Sequence, residues 1–362
     1  MLPTLKSLAV RLLAVPAVAR VYELATRGLL SVGGGSRLGA TIYSLPGLIT
    51  FNREQWAVLS GRRAYWAAVG SQRSSRVELR RNVHRLEKGL LMRPRRSSFA
   101  ADYIEETVRF YLAAVGREGG DPTADASELQ WAFDVLSEYF VVCADDHPAI
   151  ARARTAFEAV EHRTSAGDLK PYPHRTIKRS EISYEDLLTL AHQRRSVRWF
   201  TDRSVPRELV DKAFDVARQS PTACNRLPYE FLVLDEPEAV QRVARIPFGA
   251  AGYGHQIPTL VVVTGRLDSY FSPRDRHVIY IDAALSSMAF MFALETLGLA
   301  SSVINWPDFE PLERRMARTL GLAPHQRVVM LIAVGWPDPE GMVAFSQKKS
   351  LDGIRRYDVL DD

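Results

Sequence analysis

The sequence lacks the motifs by which many enzyme classes are recognised. It holds no Walker-type glycine loop, no catalytic triad and no cluster of metal ligands. Three single histidines, His255, His277 and His325, are scattered along the second half of the chain, and isolated histidines are usually structural. We therefore predict no metal site, and we exclude P-loop nucleotide chemistry and hydrolysis by a triad.

Cysteine is nearly absent as well. Only Cys143 and Cys224 occur among 362 residues, too few for a disulfide framework, which indicates a reducing compartment. The composition of 46% hydrophobic and 25% charged residues is typical of globular proteins, and the length suits roughly two domains of ~150 residues each. We therefore expect a cytoplasmic protein.

The first 50 residues form an amphipathic, basic N-terminal segment. The whole chain carries a net charge of +5, and much of the excess lies here, where Glu23 is the one acidic residue. The cations of this segment are Lys6, Arg11, Arg20, Arg27 and Arg37. Leu5, Leu8, Leu12, Leu13 and Val15 partly share a helical face. The apolar run is interrupted by Pro16 and is far shorter than the ~20 residues that span a membrane.

Three interpretations of this segment remain. It could pack as a helix on its own protein or on a dimer partner, which we favour. It could instead lie on an anionic membrane surface, giving peripheral contact at the inner membrane face. A secretory signal is suggested by Ala17-Val18-Ala19 but disfavoured by Arg11 within the apolar stretch.

Residues 51–165 are predicted to form a helical domain, and residues 166–180, with their glycine and prolines, a linker. The helical domain has three apolar stripes at helical spacing: Leu79, Val83, Leu86 and Leu90; Ile104, Val108, Leu112 and Val115; and Leu129, Phe133, Leu136 and Phe140. The run 82–96 is rich in cations, which suggests an anionic partner such as a phosphorylated sugar, a nucleotide or lipid headgroups. A solvated face with intrahelical ion pairs is the commoner outcome. The run lacks interleaved aromatics, so we expect no nucleic-acid partner.

The segment from Arg194 to Arg198 is the first of two polar clusters. Ser183 and Asp186 resemble a helix start, so Arg194, Ser196 and Arg198 are expected near the last turn of that helix. Arginine binds phosphate through planar, bidentate hydrogen bonds, and a serine hydroxyl adds a further donor. Cations at a helix end can also merely complement the helix dipole.

The second cluster follows one helix later, in the segment Ser220-Pro221-Thr222-Ala223-Cys224-Asn225-Arg226-Leu227-Pro228. Pro206 begins the intervening helix, and residues 231–234 are predicted to form a buried strand. A turn of small polar residues can bring backbone groups close to a planar ligand, and Asn225 offers donors and an acceptor to a heterocycle. Cys224 could be a redox thiol, although a packing role is favoured because no base or second cysteine lies nearby in sequence.

Together, the Arg-Arg-Ser-Val-Arg and Ser-Pro-Thr-Ala-Cys-Asn-Arg-x-Pro segments resemble the nitroreductase-like family of FMN-dependent oxidoreductases. The resemblance covers Tyr184 to about Tyr357 and includes the central helix 277–299, the strand end 301–306 and the last strand 328–335. It implies an α+β fold for residues 181–362, with a central, mostly antiparallel sheet flanked by helices and preceded by an all-helical region. It also implies a homodimer with two FMN molecules at the subunit interface.

The resemblance further implies roles for individual residues. Arg194 and Ser196 would bind the FMN phosphate and ribityl chain, and Arg198 would approach the pyrimidine side of the flavin. The turn would come from the other subunit, the strand end would lie near flavin N5, and Lys348 and Lys349 would replace the usual Lys-x-Arg phosphate clamp. The implied cofactor-binding set is Arg194, Arg195, Ser196, Arg198, Pro221, Thr222, Ala223, Asn225, Val303, Ile304, Asn305, Trp306, Lys348 and Lys349.

The function implied is hydride transfer between NADH or NADPH and a small acceptor. Because the flavin carries the hydride, no catalytic residue of the chain is assigned. The helical extension is similar to that of nitroreductase-like proteins associated with bacterial surface-polysaccharide synthesis, which suggests a substrate class. One alternative is a redox-inactive scaffold docking on a membrane or partner. Another keeps the enzyme but changes its reaction, because relatives also oxidise peptide heterocycles, fragment flavin or remove halogens. The short connection 266–277 suggests that the N-terminal helices cover the pocket.

Overall fold

The computed structural model describes residues 15–44, 48–70, 75–115, 125–159 and 167–359. The chain divides into two compact units between Trp56 and Ala57. Leu5, Leu8, Leu12 and Leu13 of the predicted N-terminal helical face lie outside the described residues, as does the start of the predicted linker.

The first unit contains helices α1 (Pro16–Gly34) and α2 (Arg37–Ser44) and the start of α3 (Leu48–Gly70). Proline is the first residue of α1, where its missing N–H costs nothing. Large apolar side chains are exposed along both short helices, namely Val18, Val21, Tyr22, Leu24, Leu29, Leu30, Leu38 and Ile42. Within the described residues of this unit, these side chains of α1 and α2 therefore pack against no core.

The second unit begins with the rest of α3 and a helical region. This region contains α4 (Ser75–Leu90), α5 (Ile104–Val115), α6 (Ala126–Val142) and α7 (Pro148–Glu158). The three predicted apolar stripes meet in one core, which buries Leu79, Val83, Leu86, Ile104, Val108, Phe133 and Leu136. The helical prediction for these residues is confirmed, because each stripe occupies the inward face of its helix.

The basic run splits into two parts. Arg85, on α4, lies 3.5 Å from the Asp102 carboxylate, and its guanidinium stacks 3.5 Å from the centroid of the Tyr103 ring. Arg93, Arg95 and Arg96 instead lie on an exposed loop after the helix. The ion pair of Arg85 joins α4 to a residue outside that helix, so it differs from the intrahelical pairing that the sequence suggested.

A four-stranded sheet forms the centre of the second half. Its strands are β1 (Tyr229–Leu234), β2 (Thr259–Arg266), β3 (Ala300–Asn305) and β4 (Gln326–Gly335), in the order β1-β2-β4-β3 with every neighbouring pair antiparallel. The predicted α+β fold class is thereby confirmed. The predicted burial of residues 231–234 is wrong, because β1 is an edge strand whose Glu230 and Val233 face outward.

Five helices surround the sheet: α8 (Tyr184–Gln193), α9 (Arg207–Ala217), α10 (Pro237–Ala244), α11 (Val278–Thr296) and α12 (Glu310–Leu320). Ser183 and Asp186 form a reciprocal capping box at the start of α8, as the sequence indicates. Helix α11 packs against α9, where the Phe214 and Phe290 rings stack with centroids 4.6 Å apart.

Among the described helices, residues 273–296, which include α11, are the one stretch long and apolar enough to cross a membrane by length and composition. Half of this stretch is buried inside the protein. Helix α11 therefore packs as a core helix, and this burial explains its apolar composition.

Two segments of the second unit carry little regular structure. Gly167 and Leu169 donate backbone hydrogen bonds to the Asp134 carboxylate on α6, at 2.8 and 2.9 Å, so the described start of the predicted linker is attached to the helical region. Residues 336–350 follow β4 without helix or strand, and they are largely exposed.

Candidate functional site

The first polar cluster lies beside the edge strand β3. Helix α8 ends at Gln193, and Arg194 is its C-cap. Ser196 then forms a parallel bridge with Ser301 at the start of β3, and the Val197 amide donates to the Ser301 carbonyl at 3.0 Å. Ser196 and Arg198 therefore lie on an extended segment, not in the last turn of the helix, because pairing with the sheet replaces the helical hydrogen bonds.

This cluster is a concentration of cations without acidic partners. Within the described part of the chain, Arg194, Arg195 and Arg198 have no carboxylate within 4 Å. Arg194 and Arg195 are half-buried, whereas Ser196 and Arg198 are exposed. Guanidinium groups held together without carboxylates are suited to an anion, above all a phosphate.

Glu295, at the end of α11, is an acid whose carboxyl group feels the charge of Arg194. Burial raises the pKa of its carboxyl group, while a hydrogen bond from Gln193 and the charge of Arg194 act in the opposite direction. A raised pKa favours the neutral form, so this acid opposes a bound anion less than an ordinary carboxylate would.

The third predicted segment, at the end of β3, presents alternate side chains to opposite faces. Val303 is 39% exposed and Asn305 is also exposed, whereas Ile304 is 1% exposed. Trp306 is buried, and its Nε1 donates to the Glu313 carboxylate at 2.5 Å. Side chains of Ile304 and Trp306 thus belong to the core, so these residues can meet a ligand only through their backbone.

The second polar cluster is a tight turn before β1. Cys224, Asn225 and Leu227 adopt φ angles of 55°, 52° and 48°, in the left-handed region that favours glycine. The Asn225 amide donates to the Thr222 carbonyl at 3.1 Å, and the Leu227 amide donates to the Thr222 hydroxyl at 3.2 Å. The turn therefore folds back on Thr222 and keeps the half-buried side chains of residues 222–225 close together.

Two residues outside the turn anchor it. The Ala223 amide donates to the Asp282 carboxylate on α11 at 2.9 Å, and Nε of Arg80 on α4 donates to the Asn225 carbonyl at 3.0 Å. Burial raises the pKa of Asp282, partly offset by the Ala223 amide and the charge of Arg226. Sequence reasoning assigned no role to either anchor. The presence of an acid within the apolar helix 278–296 was an available signal for Asp282. No comparable signal marked Arg80, because it is one cation among many in its part of the sequence.

The two polar clusters are far apart in one chain. The turn contacts Asp282, and Gln193, the residue before the first cluster, hydrogen-bonds to Glu295. These two acids are thirteen positions apart on α11, about 20 Å at ~1.5 Å per residue. The clusters also lie at opposite corners of the sheet, since Tyr229 of β1 and Ser301 of β3 occupy opposite edges and opposite ends. One chain therefore does not bring the two predicted halves of the site together.

Lys348 and Lys349 lie on the exposed segment that follows β4. The Cβ of Lys349 approaches Gly353 of the same segment. Their place in a phosphate clamp stays a prediction, as does the role of Pro221, which is exposed at the start of the turn. No group of three or more histidine, cysteine, aspartate or glutamate side chains is arranged to hold a metal ion in the ranges that the structure describes.

An apolar surface runs along the outside of the same helices. Ile281, Leu285 and Met288 form an exposed row at helical spacing on α11. Tyr184, Leu187 and Leu188 are exposed on α8, which packs against α11. Exposed rows of apolar side chains are typical of a protein interface.

Comparison with known proteins gives a family-model match and several relatives of low sequence identity. A family model described as Nitroreductase matches residues 191–252 and 248–336. Human iodotyrosine deiodinase 1 is 24% identical over 270 residues, covering 66% of this chain and 89% of that protein. A protein of Methanothermobacter thermautotrophicus, provisionally named NADH dehydrogenase/NAD(P)H nitroreductase, is 27% identical over 162 residues, covering 43% of this chain and 80% of its own. A solved FMN-dependent nitroreductase from Clostridium difficile superposes with a TM-score of 0.41 and 19% identity, over 47% of this chain and 98% of its own.

Proposed function

We propose that this chain, in which residues 191–252 and 248–336 match a family model described as Nitroreductase, is an FMN-dependent oxidoreductase. The observation that carries the proposal is the cluster of Arg194, Ser196 and Arg198, three donors beside an edge strand with no carboxylate within 4 Å among the described residues. Such a cluster fits the phosphate of FMN. When bound, FMN carries hydride from NADH or NADPH to an acceptor.

The chain's own residues bind and orient this cofactor. Arg194 and Ser196 hold the phosphate and ribityl chain. Arg198 stays near the pyrimidine edge, where its positive charge favours the reduced, negatively charged form of the flavin. Val303, Asn305 and the backbone amide of Trp306 would line the flavin near N5, because the two side chains are exposed at the end of β3.

We further propose that the working form is a homodimer in which each site takes the first cluster from one chain and the turn from the other. The separation of about 20 Å between the two clusters along α11 supports this arrangement. The exposed apolar row of Ile281, Leu285 and Met288 supplies a surface for such an interface.

The direct experiment is to purify the protein, record its visible spectrum and add NADPH or NADH without oxygen. We expect a yellow protein that bleaches with one of the two donors. A yellow protein that stays oxidised with both would favour the redox-inactive scaffold or another donor. A colourless protein that takes up no added FMN would contradict the proposal.

Reductive dehalogenation is the second candidate reaction. The alignment with human iodotyrosine deiodinase 1 covers 66% of this chain, more than the residues 191–336 of the family model. In this reaction two electrons and a proton are delivered to a halogenated aromatic carbon, a C–H bond replaces the C–halogen bond, and halide leaves. Iodide release from an iodotyrosine should be compared with reduction of a nitroaromatic under the same reducing conditions. Reduction of the nitroaromatic without halide release would reject this candidate.

We propose a cytoplasmic location with peripheral contact at the inner membrane face through residues 1–50. The exposed apolar side chains of α1 and α2, together with Arg20, Arg27 and Arg37, support contact with anionic lipids. Sedimentation of the protein with vesicles of anionic lipid, and not with neutral ones, is the expected result. Equal recovery in both supernatants would contradict it. An acceptor from surface-polysaccharide metabolism stays a proposal that the substrate assays above must test.

A further inference from the structure

We propose that the helical region of residues 75–159 braces the turn of residues 222–227, and that Arg80 is the positioning residue through which it acts. The inference deepens the proposed function and rests on it, because the turn matters to activity only if it lines the flavin. It gives the helical extension a physical task within the site.

The turn needs support from outside itself. Cys224, Asn225 and Leu227 all have left-handed φ angles without being glycine. Such conformations persist where the surrounding structure holds them in place. The hydrogen bonds that the turn makes to Thr222 fix its internal shape but not its position relative to the sheet.

Two anchors from different parts of the fold hold the turn in place. On one side the Asp282 carboxylate of the central helix accepts from the Ala223 amide at 2.9 Å. On the other, Nε of Arg80 donates to the Asn225 carbonyl at 3.0 Å, and α4 packs against residues 223–225. The second anchor joins residues 145 positions apart in sequence, so it exists only because the helical region packs against the turn.

Arg80 is itself held in one orientation. Its Nη1 lies 3.1 Å from the Glu128 carboxylate on α6, and its guanidinium lies 5.6 Å from the ring centroid of Trp131 on the same helix. With these two contacts fixed, Nε is directed to the Asn225 carbonyl. A hydrogen bond from a charged, immobilised donor is among the stronger kinds.

The position of Asn225 affects its neighbours as well. Arg226 is 6% exposed, and its guanidinium lies 5.0 Å from the ring centroid of Tyr270. Movement of the Asn225 carbonyl would therefore shift both the buried Arg226 and the amides on the ligand side of the turn. Loss of the Arg80 contact should loosen the turn without unfolding the sheet.

The test compares three variants of the full-length protein. Arg80→Met removes the donor while keeping a long side chain, and Arg80→Lys keeps a cation near Glu128 but loses the planar geometry. Arg85→Met is the matched control, since Arg85 lies on the same helix but contacts Asp102 and Tyr103, outside the turn. Hydrogen exchange of the backbone amides of residues 222–227 in the FMN-free protein measures the brace, and quenching of FMN fluorescence measures FMN affinity.

We expect R80M to exchange these amides faster than wild type and to bind FMN about tenfold more weakly, with R80K between the two and R85M unchanged. Exchange and affinity equal to those of R85M would overturn the inference. If R80M does not fold, an R80K protein with wild-type exchange would also overturn it. If wild type takes up no FMN, the proposed function fails, whereas faster exchange in R80M would still establish the brace.

Discussion

The backbone amide of Ala223 donates a 2.9 Å hydrogen bond to the buried carboxylate of Asp282, so the central helix anchors the start of the turn. An amide left without its acceptor costs about 1–3 kcal/mol. We expect Asp282→Ala to weaken FMN binding about tenfold or more and to lower the free energy of unfolding toward the small end of that range, because burial of the carboxylate is relieved at the same time.

Asp282→Asn is the matched variant for this prediction. It keeps a side-chain oxygen that can accept from Ala223, so we expect it to retain more FMN affinity than the alanine variant. Urea unfolding and FMN titration of both proteins would check it. Equal FMN affinity in the two variants would show that the hydrogen bond has no part in holding the turn.

Arg194→Ala tests the phosphate half of the site. A hydrogen bond from a charged donor contributes about 1.5–3 kcal/mol, so we expect FMN to dissociate at least about tenfold more readily. The melting temperature of the FMN-free protein should stay close to that of wild type, because no carboxylate lies within 4 Å of Arg194 among the described residues. Arg207→Ala is the control, since exposed Arg207 pairs with Asp235, which follows β1 at the edge of the sheet opposite β3. Equal loss of FMN binding in both variants would remove Arg194 from the site.

Leu285→Asp tests the dimer. Leu285 is 46% exposed in the apolar row of α11, and a charge there should disfavour a self-complementary interface. We expect a monomer in sedimentation analysis that no longer retains FMN. Val141→Asp, at an 81% exposed position on α6, should leave both properties unchanged. A Leu285→Asp dimer with full FMN content would contradict the interface.

Asp268 provides a prediction for pH. Burial alone would raise the pKa of its carboxyl, but hydrogen bonds from His325 and Arg266 prevail and hold the pKa well below its ordinary value. A lowered pKa in the folded state stabilises the protein above the unfolded value of ~3.9, and this stabilisation is lost as the pH falls through the folded pKa. The free energy of unfolding should therefore decline more steeply below about pH 4 in wild type than in Asp268→Asn. Parallel pH profiles from urea unfolding would count against this role.

Local patterns predicted the parts of the fold that depend on neighbours in sequence. The Ser183–Asp186 capping box and the apolar stripes of α4 to α6 could be read directly, because helical spacing and capping are local. The strand order could not. Whether β1 lies at an edge depends on pairings between distant segments, so its outward-facing Val233 was predicted to be buried.

The candidate site likewise has features that the local sequence predicts and features that depend on packing between distant segments. The residue types of both clusters were visible in the sequence, but the inward orientation of Ile304 and Trp306 depends on which face of β3 meets the core. The contact between Arg80 and Asn225 joins distant segments through helix packing, so no spacing rule could predict it.

The distance between Asp282 and Glu295 along α11 has a consequence for mixtures of variants. In the proposed homodimer, if one polypeptide is impaired only at Arg194 and another only at the turn, neither alone assembles a competent site. Exchange of subunits between the two variants would create hybrid dimers. In each hybrid, one of the two sites combines an intact Arg194 with an intact turn, so up to half of the cofactor sites would recover. Because the two contacts lie far apart on one helix, two defective alleles of the same gene would complement each other in such a dimer.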